Sequence, residues 1–202
     1  GWKEVERGLI PGGFACINIG DATRKIKDDF ALYSNHSRII SAFATLSMSN
    51  LPGIIWRKQT NAPNKFMGSG MLASGAYVTV DIREEKLARK ESSFFWEERN
   101  TWFSDLWDLK GTKQRIANSE SRKRSAAFPF EVPYRLINMY SLQGDTVLDP
   151  FLGTGTTCLA AIASGRNSIG YEIDPAFLEI ISQNIKSTPV SFYNSVIENR
   201  IN

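Results

Sequence analysis

The stretch TVLDPFLGTGTTCLAAIASGRNSIGYEI, residues 146–173, decides the fold of this chain. It opens with a short apolar strand, TVLD (146–149), and continues into a glycine-containing turn, FLGTG (151–155). Small and apolar residues over 156–164 predict a helix, and NSIGYEI (167–173) is typical of a second strand. The order strand, turn, helix, strand predicts the beginning of a doubly wound α/β sheet.

This unit predicts a binding site for a ligand that contains adenosine. Gly153 and Gly155 lie between a strand and a helix, where the lack of a Cβ lets the backbone approach a ligand. Glu172 follows Asp149 by 23 residues, at the tip of the next strand, where a carboxylate can accept hydrogen bonds from both hydroxyls of a ribose. The alternative is an α/β protein with a glycine-rich turn and no nucleotide.

The same turn departs from the dinucleotide pattern. That fingerprint requires a third glycine at position 158, where this chain has Cys158. Asp149, directly before the turn, would repel a pyrophosphate but suits a positively charged ligand without phosphates. S-adenosylmethionine, which carries an ammonium and a sulfonium group, is such a ligand.

The remainder of the chain alternates between helix-like and strand-like segments. Predicted helices cover residues 2–9, 29–48, 81–99, 131–141 and 175–185, and predicted strands cover 14–20, 53–58 and 77–80. The apolar run 14–20 is expected to be a buried parallel strand. The segment 59–75, which is rich in Gly and Asn, is expected to be a long loop.

Composition excludes several classes of protein. A chain of 202 residues that is 42% hydrophobic and 22% charged can bury a core as one domain. It contains no apolar run long enough for a membrane span and no secretory signal pattern at its start, so a cytoplasmic location is expected. Two cysteines are too few for a disulfide framework or a zinc site, and no metal is expected. The single histidine, His36, is not accompanied by a GxSxG nucleophile turn, which argues against a serine hydrolase.

Several segments together resemble one enzyme family. VLDPFLGTGTT (147–157) resembles the cofactor-binding motif of the β class of amino-group DNA methyltransferases, which belong to bacterial and archaeal restriction-modification systems. Further segments of the chain are similar to other blocks of that family: AAFPFEVPYRLI (126–137), PGGFACINIGD (11–21) and NSIGYEID (167–174). The cofactor motif near the C-terminal end matches the permuted order of this class. The resemblance implies an S-adenosylmethionine-dependent methyltransferase (Rossmann-like) α/β fold, with a mostly parallel sheet and helices on both faces.

The resemblance also implies which residues bind S-adenosylmethionine. Glu172 is expected to hold the ribose, and Tyr171 or Ile173 to flank the adenine. Thr156 or Thr157 is expected to cap the following helix. The cofactor-binding residues implied are Asp149, Pro150, Phe151, Gly153, Gly155, Thr156, Thr157, Glu172, Phe128, Pro129 and Asp21. Phe128 and Pro129 are expected to lie near the methionine end of S-adenosylmethionine. For Asp21 a loop-capping role is an equal alternative.

The implied activity is site-specific DNA methylation. The enzyme would move a methyl group from S-adenosylmethionine to the exocyclic amino group of cytosine (N4) or adenine (N6) in a base flipped out of the duplex. The family's catalytic motif, Asp/Asn/Ser-Pro-Pro-Tyr/Phe, has no counterpart here and is expected before Gly1, so the catalytic residues are unknown. A second departure lies around residues 80–81, where the family has a longer hairpin. A catalytically incomplete cofactor-binding remnant and an RNA or small-molecule methyltransferase are the alternatives.

Methylation at a ring carbon of cytosine is rejected. That chemistry needs a cysteine nucleophile, which in its family follows a proline. Cys16 follows Ala15 and Cys158 follows Thr157. Both cysteines are therefore interpreted as small hydrophobic residues of the core.

Double-stranded DNA is the expected partner, and a homodimer is left open. Net charge, at +3, permits a nucleic-acid partner without proving one. Residues 1–58 and 126–202 are expected to form the methyltransferase core, and 59–125 a loop-rich insert that contacts DNA. Candidate DNA-binding residues are Asn61, Asn64, Lys65, Lys113, Arg115, Arg122, Lys123 and Arg124. The aromatic cluster Phe94, Phe95, Trp96, Trp102, Phe103 and Trp107 is interpreted as core.

Overall fold

The computed structural model of the protein describes residues 1–26, 29–59, 75–83, 95–111 and 127–187. Internal contacts divide the chain into two units. Unit 1 comprises Gly1–Ala88 and Phe103–Lys110, and unit 2 comprises Arg89–Trp102 and Gly111–Asn202.

The described residues of unit 1 form a four-stranded sheet and a separate pair of strands. Its elements are α1 (Trp2–Gly8), β1 (Phe14–Ile19), β2 (Ala22–Ile26), β3 (Asp29–Tyr33), α2 (Asn35–Phe43), β4 (Met48–Gln59), β5 (Gly75–Arg83) and β6 (Leu106–Lys110). The strand order in the sheet is β1-β5-β4-β6, and β2 and β3 form a separate antiparallel pair. Val78 and Val80 on β5 are almost completely buried, as expected for a strand with neighbours on both sides.

The orientation of β1 differs from the prediction. Residues 14–19 form the predicted strand, but its described neighbour, β5, runs antiparallel, with Cys16 opposite Val80. Within β1 only Ala15 is fully buried. An apolar run does not fix the direction of the neighbouring strand. The described pairings are mixed rather than mostly parallel, since β5 is antiparallel to β1 and β4, while β4–β6 is parallel.

Two helix predictions in unit 1 are wrong at their edges. The helix predicted over 29–48 is confined to α2, because residues 29–33 pair with β2 and residues from Met48 onward enter β4. Residues 81–83 belong to β5 rather than to a solvated helix, and the helix in this region, α3, begins at Trp96. Apolar spacing over 29–48 and the balanced charges of 81–99 favoured helices, but pairing with neighbouring strands decided the conformation of residues 29–33, 48 and 81–83.

Unit 2 contains the strand–turn–helix–strand arrangement predicted from the sequence. Its elements are α3 (Trp96–Trp102), α4 (Glu131–Tyr140), β7 (Thr146–Asp149), α5 (Thr156–Ala163), β8 (Asn167–Gly170) and α6 (Ala176–Ser187). β7 and β8 are parallel, with Asp149 opposite Gly170. The carboxyl ends of both strands therefore lie at one edge, where open α/β sheets bind ligands.

The core of unit 2 lies between α4 and α5. The buried residues of this cluster are Trp102, Tyr134, Ile137, Ala160, Ala161 and Ala163. Small alanines on α5 allow close approach of α4, whose Tyr134 meets Trp102 edge-on at 5.9 Å between ring centroids.

The interpretation of the aromatic cluster as core is correct for Trp102 and Trp107. It is wrong for Phe95, Trp96 and Phe103, which are exposed, and Phe94 lies outside the described residues.

Within the described ranges, no helix is both long and apolar enough to cross a membrane. The same part of the chain contains no group of three or more His, Cys, Asp or Glu side chains placed to hold a metal ion.

Candidate cofactor site

The turn between β7 and α5 adopts a conformation that requires its glycines. Gly153 has φ of +55° and Gly155 has φ of +84°, both in the left-handed region that side chains other than glycine disfavour. The Gly155 N–H donates to the carbonyl oxygen of Leu152 at 3.1 Å, which closes the turn immediately before α5. The two glycines therefore set the path of the backbone into the helix.

The turn is attached to the end of β8 by backbone hydrogen bonds. The Leu152 N–H donates to the carbonyl oxygen of Tyr171, and the Tyr171 N–H to that of Asp149, each at 2.9 Å. A Cβ on Gly170 would lie 2.5 Å from a methyl carbon of Leu152, so a side chain at this position would clash with the turn. Gly170 is thus required for the close approach of β8, a role that the sequence analysis did not assign.

Glu172, the acid predicted to hold a ribose, is fixed against the turn. Its Oε2 accepts from the Gly153 N–H at 2.8 Å, and its Oε1 accepts from the Asp174 N–H at 2.9 Å. Each carboxylate oxygen can accept more than one hydrogen bond. Glu172 can therefore accept a hydrogen bond from each of two vicinal hydroxyls without leaving this position.

Asp149 stands at the other side of the turn. Its Oδ1 accepts from the Phe151 N–H at 2.9 Å, and the carboxylate is half-buried at the end of β7. A carboxylate in this place gives the edge of the sheet a negative charge that suits a cationic ligand group.

Three large side chains near Glu172 are exposed. Phe151 is 76% exposed, Tyr171 63% and Ile173 99%. Tyr171 directly precedes Glu172 and Ile173 directly follows it in the sequence. Contact of either side chain with an adenine stays a prediction.

The predicted helix cap is wrong. α5 begins at Thr156, its N-cap residue is Gly155, and no side chain caps its first turn. Thr156 and Thr157 come after the cap position, so their hydroxyls cannot take the role of an N-cap oxygen. The Thr156 Oγ1 lies 3.4 Å from the Thr154 Oγ1 instead.

Phe128 and Pro129 lie at the N-terminal side of α4. Both are half-buried, and the Pro129 carbonyl oxygen accepts from the Val132 N–H at 3.0 Å in the first turn of the helix. The following residue, Phe130, stacks on Tyr134 with ring centroids 5.4 Å apart. Contact of Phe128 and Pro129 with a ligand stays a prediction.

Asp21 belongs to unit 1, where it receives hydrogen bonds at the start of α2. Its Oδ1 accepts from the His36 N–H at 3.2 Å, and the His36 Nδ1 lies 2.8 Å from each carboxylate oxygen. Burial raises the pKa of Asp21, but the hydrogen bonds and charge of His36 outweigh it and hold the pKa below its ordinary value. This arrangement is the capping role considered for Asp21, and contact with a cofactor stays a prediction.

The residues predicted to bind DNA cannot be placed. Asn61, Asn64 and Lys65 lie in the segment 60–74, and the basic candidates lie in 112–126; both segments are outside the described residues. The described part of the predicted insert 59–125 contributes β5, α3 and β6.

Comparison with known proteins identifies the class of protein to which this chain belongs. The model of the DNA methylase family (N6_N4_Mtase) matches residues 1–183, and the chain belongs to that family. The type II methyltransferase M.MthZI of Methanothermobacter thermautotrophicus is 53% identical over 218 residues, which cover 100% of this chain and 61% of that protein. M.MjaI of Methanocaldococcus jannaschii is 50% identical over 198 residues, which cover 91% of this chain and 65% of that protein.

A solved structure confirms the predicted methyltransferase fold. TTHA0409 of Thermus thermophilus, described as a DNA modification methylase and solved with S-adenosyl-L-methionine, matches with a TM-score of 0.75 at 29% sequence identity. The match covers 91% of this chain and 72% of that one. The chain thus spans 61% and 65% of the length of the two type II methyltransferases, which is less than two thirds of each.

Proposed function

We propose that this protein is a site-specific DNA methyltransferase of a restriction-modification system. It would transfer a methyl group from S-adenosyl-L-methionine to the exocyclic amino group of cytosine (N4) or adenine (N6). The observation that supports this most is the Glu172 carboxylate on the backbone of Gly153, in a chain that belongs to the DNA methylase family.

The residues of the turn fit S-adenosyl-L-methionine. Glu172 would accept hydrogen bonds from the ribose hydroxyls, and the exposed Tyr171 and Ile173 would contact the adenine. Asp149 would face the positively charged amino-acid end, for which Phe128 is a further candidate contact. Gly153 and Gly155 have no Cβ, which leaves the backbone of the turn open to close approach.

The chemistry requires positioning rather than a metal. When bound, S-adenosyl-L-methionine supplies a methyl group on a sulfonium, which an amine attacks in line. The chain's contribution is to orient the ligand through Glu172 and Asp149 and to cover its adenine. No Pro-Pro pair occurs in the sequence, so no residue of this chain is proposed to accept the hydrogens of the amino group.

Contact with double-stranded DNA is proposed for the predicted polar and basic residues of 60–70 and 110–124. Asn side chains can read adenine, and Lys and Arg bind phosphates. The names of the relatives, which are type II methyltransferases, support a DNA substrate. A homodimer and a cytoplasmic location stay predictions.

A methyl-transfer assay tests the proposed function. The protein produced from its complete gene is incubated with S-adenosyl-L-methionine carrying a labelled methyl group and with duplex DNA or, in a parallel reaction, with RNA. The DNA is then digested to nucleosides, which are identified by mass. Label in N4-methyl-2′-deoxycytidine or N6-methyl-2′-deoxyadenosine is the expected result, and it also identifies the target base. Label in RNA instead, or binding of the cofactor with no transfer to any nucleic acid, would contradict the proposal.

A further inference from the structure

Asn184, on α6, is bonded to the glycine turn although the sequence analysis gave it no role. Its Nδ2 donates to the carbonyl oxygen of Thr154 at 2.9 Å. Asn184 is half-buried, whereas the adjacent Gln183 is exposed and donates to Glu179 within the same helix at 3.1 Å. The side chain of Asn184 therefore connects α6 to the turn, and that of Gln183 stays on the helix surface.

This hydrogen bond restrains the peptide group between Thr154 and Gly155. The carbonyl of that peptide faces Asn184, and its N–H donates to Leu152 at 3.1 Å. Gly155 has φ of +84°, and a glycine reaches several other conformations at little cost. Loss of the bond to the carbonyl would therefore let this peptide rotate and displace the backbone beside Gly153.

Packing from the same helix supports the position of the turn. A Cβ added to Gly155 would lie 3.4 Å from the Cγ2 of Ile181, so this side chain of α6 lies beside the turn, about one helical turn before Asn184. Ile181 limits how far the turn can move toward α6, but an apolar contact does not fix the orientation of a peptide group. The directional restraint comes from the Asn184 amide.

We propose that Asn184 is a positioning residue for the S-adenosyl-L-methionine site. It holds the Thr154–Gly155 peptide in the orientation in which Gly153 and Glu172 receive the cofactor, and it does not touch the cofactor itself. This inference rests on the proposed function, because it assumes that the ligand of the turn is S-adenosyl-L-methionine.

Calorimetric titration of S-adenosyl-L-methionine tests the role of Asn184. The protein from the complete gene is compared with Asn184→Ala and with the matched variant Gln183→Ala, which removes an amide from the neighbouring position. Asn184→Ala is expected to bind about 5- to 10-fold more weakly, the effect of one lost hydrogen bond to a carbonyl. Gln183→Ala is expected to bind like the unsubstituted protein. The melting temperature without cofactor is measured in parallel.

A second variant gives a signature that a purely structural role would not produce. Asn184→Asp has the same shape, but an ionised carboxylate cannot donate to the Thr154 carbonyl, whereas a protonated one can. At about pH 8, Asn184→Asp is expected to bind the cofactor more weakly than Gln183→Asp does. This difference in affinity is expected to shrink as the pH falls to about 5, because a carboxyl group that faces a carbonyl oxygen protonates more readily and can then donate a hydrogen bond to it.

The outcomes separate the inference from the proposed function. Dissociation constants of the Asn184 variants that lie, at about pH 8, within about twofold of those of their Gln183 counterparts overturn the inference. A lower melting temperature with unchanged affinity, or a deficit of Asn184→Asp that does not change with pH, overturns it as well. If the unsubstituted protein fails to bind S-adenosyl-L-methionine, the proposed function itself is wrong.

Discussion

At the scale of single residues, Glu172 combines two kinds of hydrogen bond in one carboxylate. It accepts from the N–H groups of Gly153 and Asp174, which fixes its position, and its remaining acceptor capacity is available to a ligand. A neutral amide in its place would turn an NH₂ group toward one of these N–H donors. Replacing one carboxylate oxygen by an NH₂ group would therefore weaken both the hydrogen bonds that position this side chain and those that it can accept from a ligand.

We therefore expect Glu172→Gln to weaken the binding of S-adenosyl-L-methionine by about tenfold or more, since hydrogen bonds to a charged group contribute about 1.5–3 kcal/mol. Isothermal calorimetry measures the effect. Glu179→Gln is the control, because Glu179 is exposed on α6 and bonds only within that helix among the contacts described. Equal affinity of the two variants would remove Glu172 from the site.

A second prediction concerns Asp21, whose pKa His36 lowers despite the opposing effect of burial. Because the pKa in the folded state lies below the unfolded value of about 3.9, ionised Asp21 stabilises the fold above that pH. The stabilisation is lost as the pH falls through the folded value. Asp21→Asn should thus lower the free energy of unfolding by about 1 kcal/mol at pH 7, with a difference that shrinks below about pH 4.

Urea denaturation between neutral and acidic pH measures this difference. Asp105→Asn is the control, because its side chain is exposed in the same unit and no shift in stability is expected. A difference between Asp21→Asn and the unsubstituted protein that stays constant across the whole pH range would show that ionised Asp21 is not what stabilises the start of α2.

These residues differ in how far the sequence predicts them. Gly153 and Glu172 follow β7 and β8, two adjacent parallel strands whose carboxyl ends meet at one edge, so their proximity follows from the strand pattern. The pairing of Asp21 with His36 could be considered only as a general capping role, because it depends on how the segment between them folds back. The sequence does not indicate a role for Asn184, because a polar residue on a helix is usually exposed to solvent.

At the scale of elements, the C-terminal ends of α4 and α5 meet at one buried cation. Arg166 is 5% exposed, and its guanidinium donates to the Ser141 carbonyl at 2.7 Å and to the Ser164 carbonyl. Ser141 and Ser164 are the C-cap residues of α4 and α5. The positive charge thus faces the negative ends of two helix dipoles, and it occupies carbonyls that would otherwise lack donors.

Arg166→Met should lower the free energy of unfolding by about 3 kcal/mol or more, because it leaves buried carbonyls unpaired while it fills a similar volume. Arg166→Lys should lower the free energy of unfolding by less, since the ammonium group of Lys can still donate some of the hydrogen bonds that the guanidinium donates. Chemical denaturation followed by circular dichroism gives both values. Arg99→Met is the control, because Arg99 is exposed above the ring of Trp96, where such a contact contributes about 0.5–1 kcal/mol. Comparable losses for Arg166→Met and Arg99→Met would contradict the role of Arg166.

The elements themselves were predictable to different degrees. β7, α5 and β8 follow from local pattern alone, because a glycine turn separates a strand from a helix of small residues. β3 was predicted as helix, because apolar residues over 29–48 match helical spacing and the pairing with β2 is not visible in that pattern. The antiparallel neighbour of β1 depends on β5, which lies some sixty residues along the chain.

At the scale of the whole molecule, a match over residues 1–183 shows that the chain belongs to the DNA methylase family. The segments predicted to contact DNA, 60–70 and 112–124, lie outside the described residues. The proposed DNA contacts rest on sequence and on the relatives. Charge is the property by which they can be tested, because phosphate contacts release counterions and make binding depend on salt.

The basic residues Arg122, Lys123 and Arg124 should contribute to this salt dependence. Replacing all three by Ala is expected to weaken DNA binding and to reduce the slope of log Kd against log salt concentration by about 0.9 for each phosphate that the variant no longer neutralises. A control that removes the same charge replaces three exposed bases elsewhere, Lys3, Arg7 and Arg99, by Ala. Fluorescence anisotropy with a labelled duplex, measured over a salt series, compares the two. If both triple variants change the slope equally, net charge alone explains the binding, and the stretch 122–124 does not itself touch the DNA backbone.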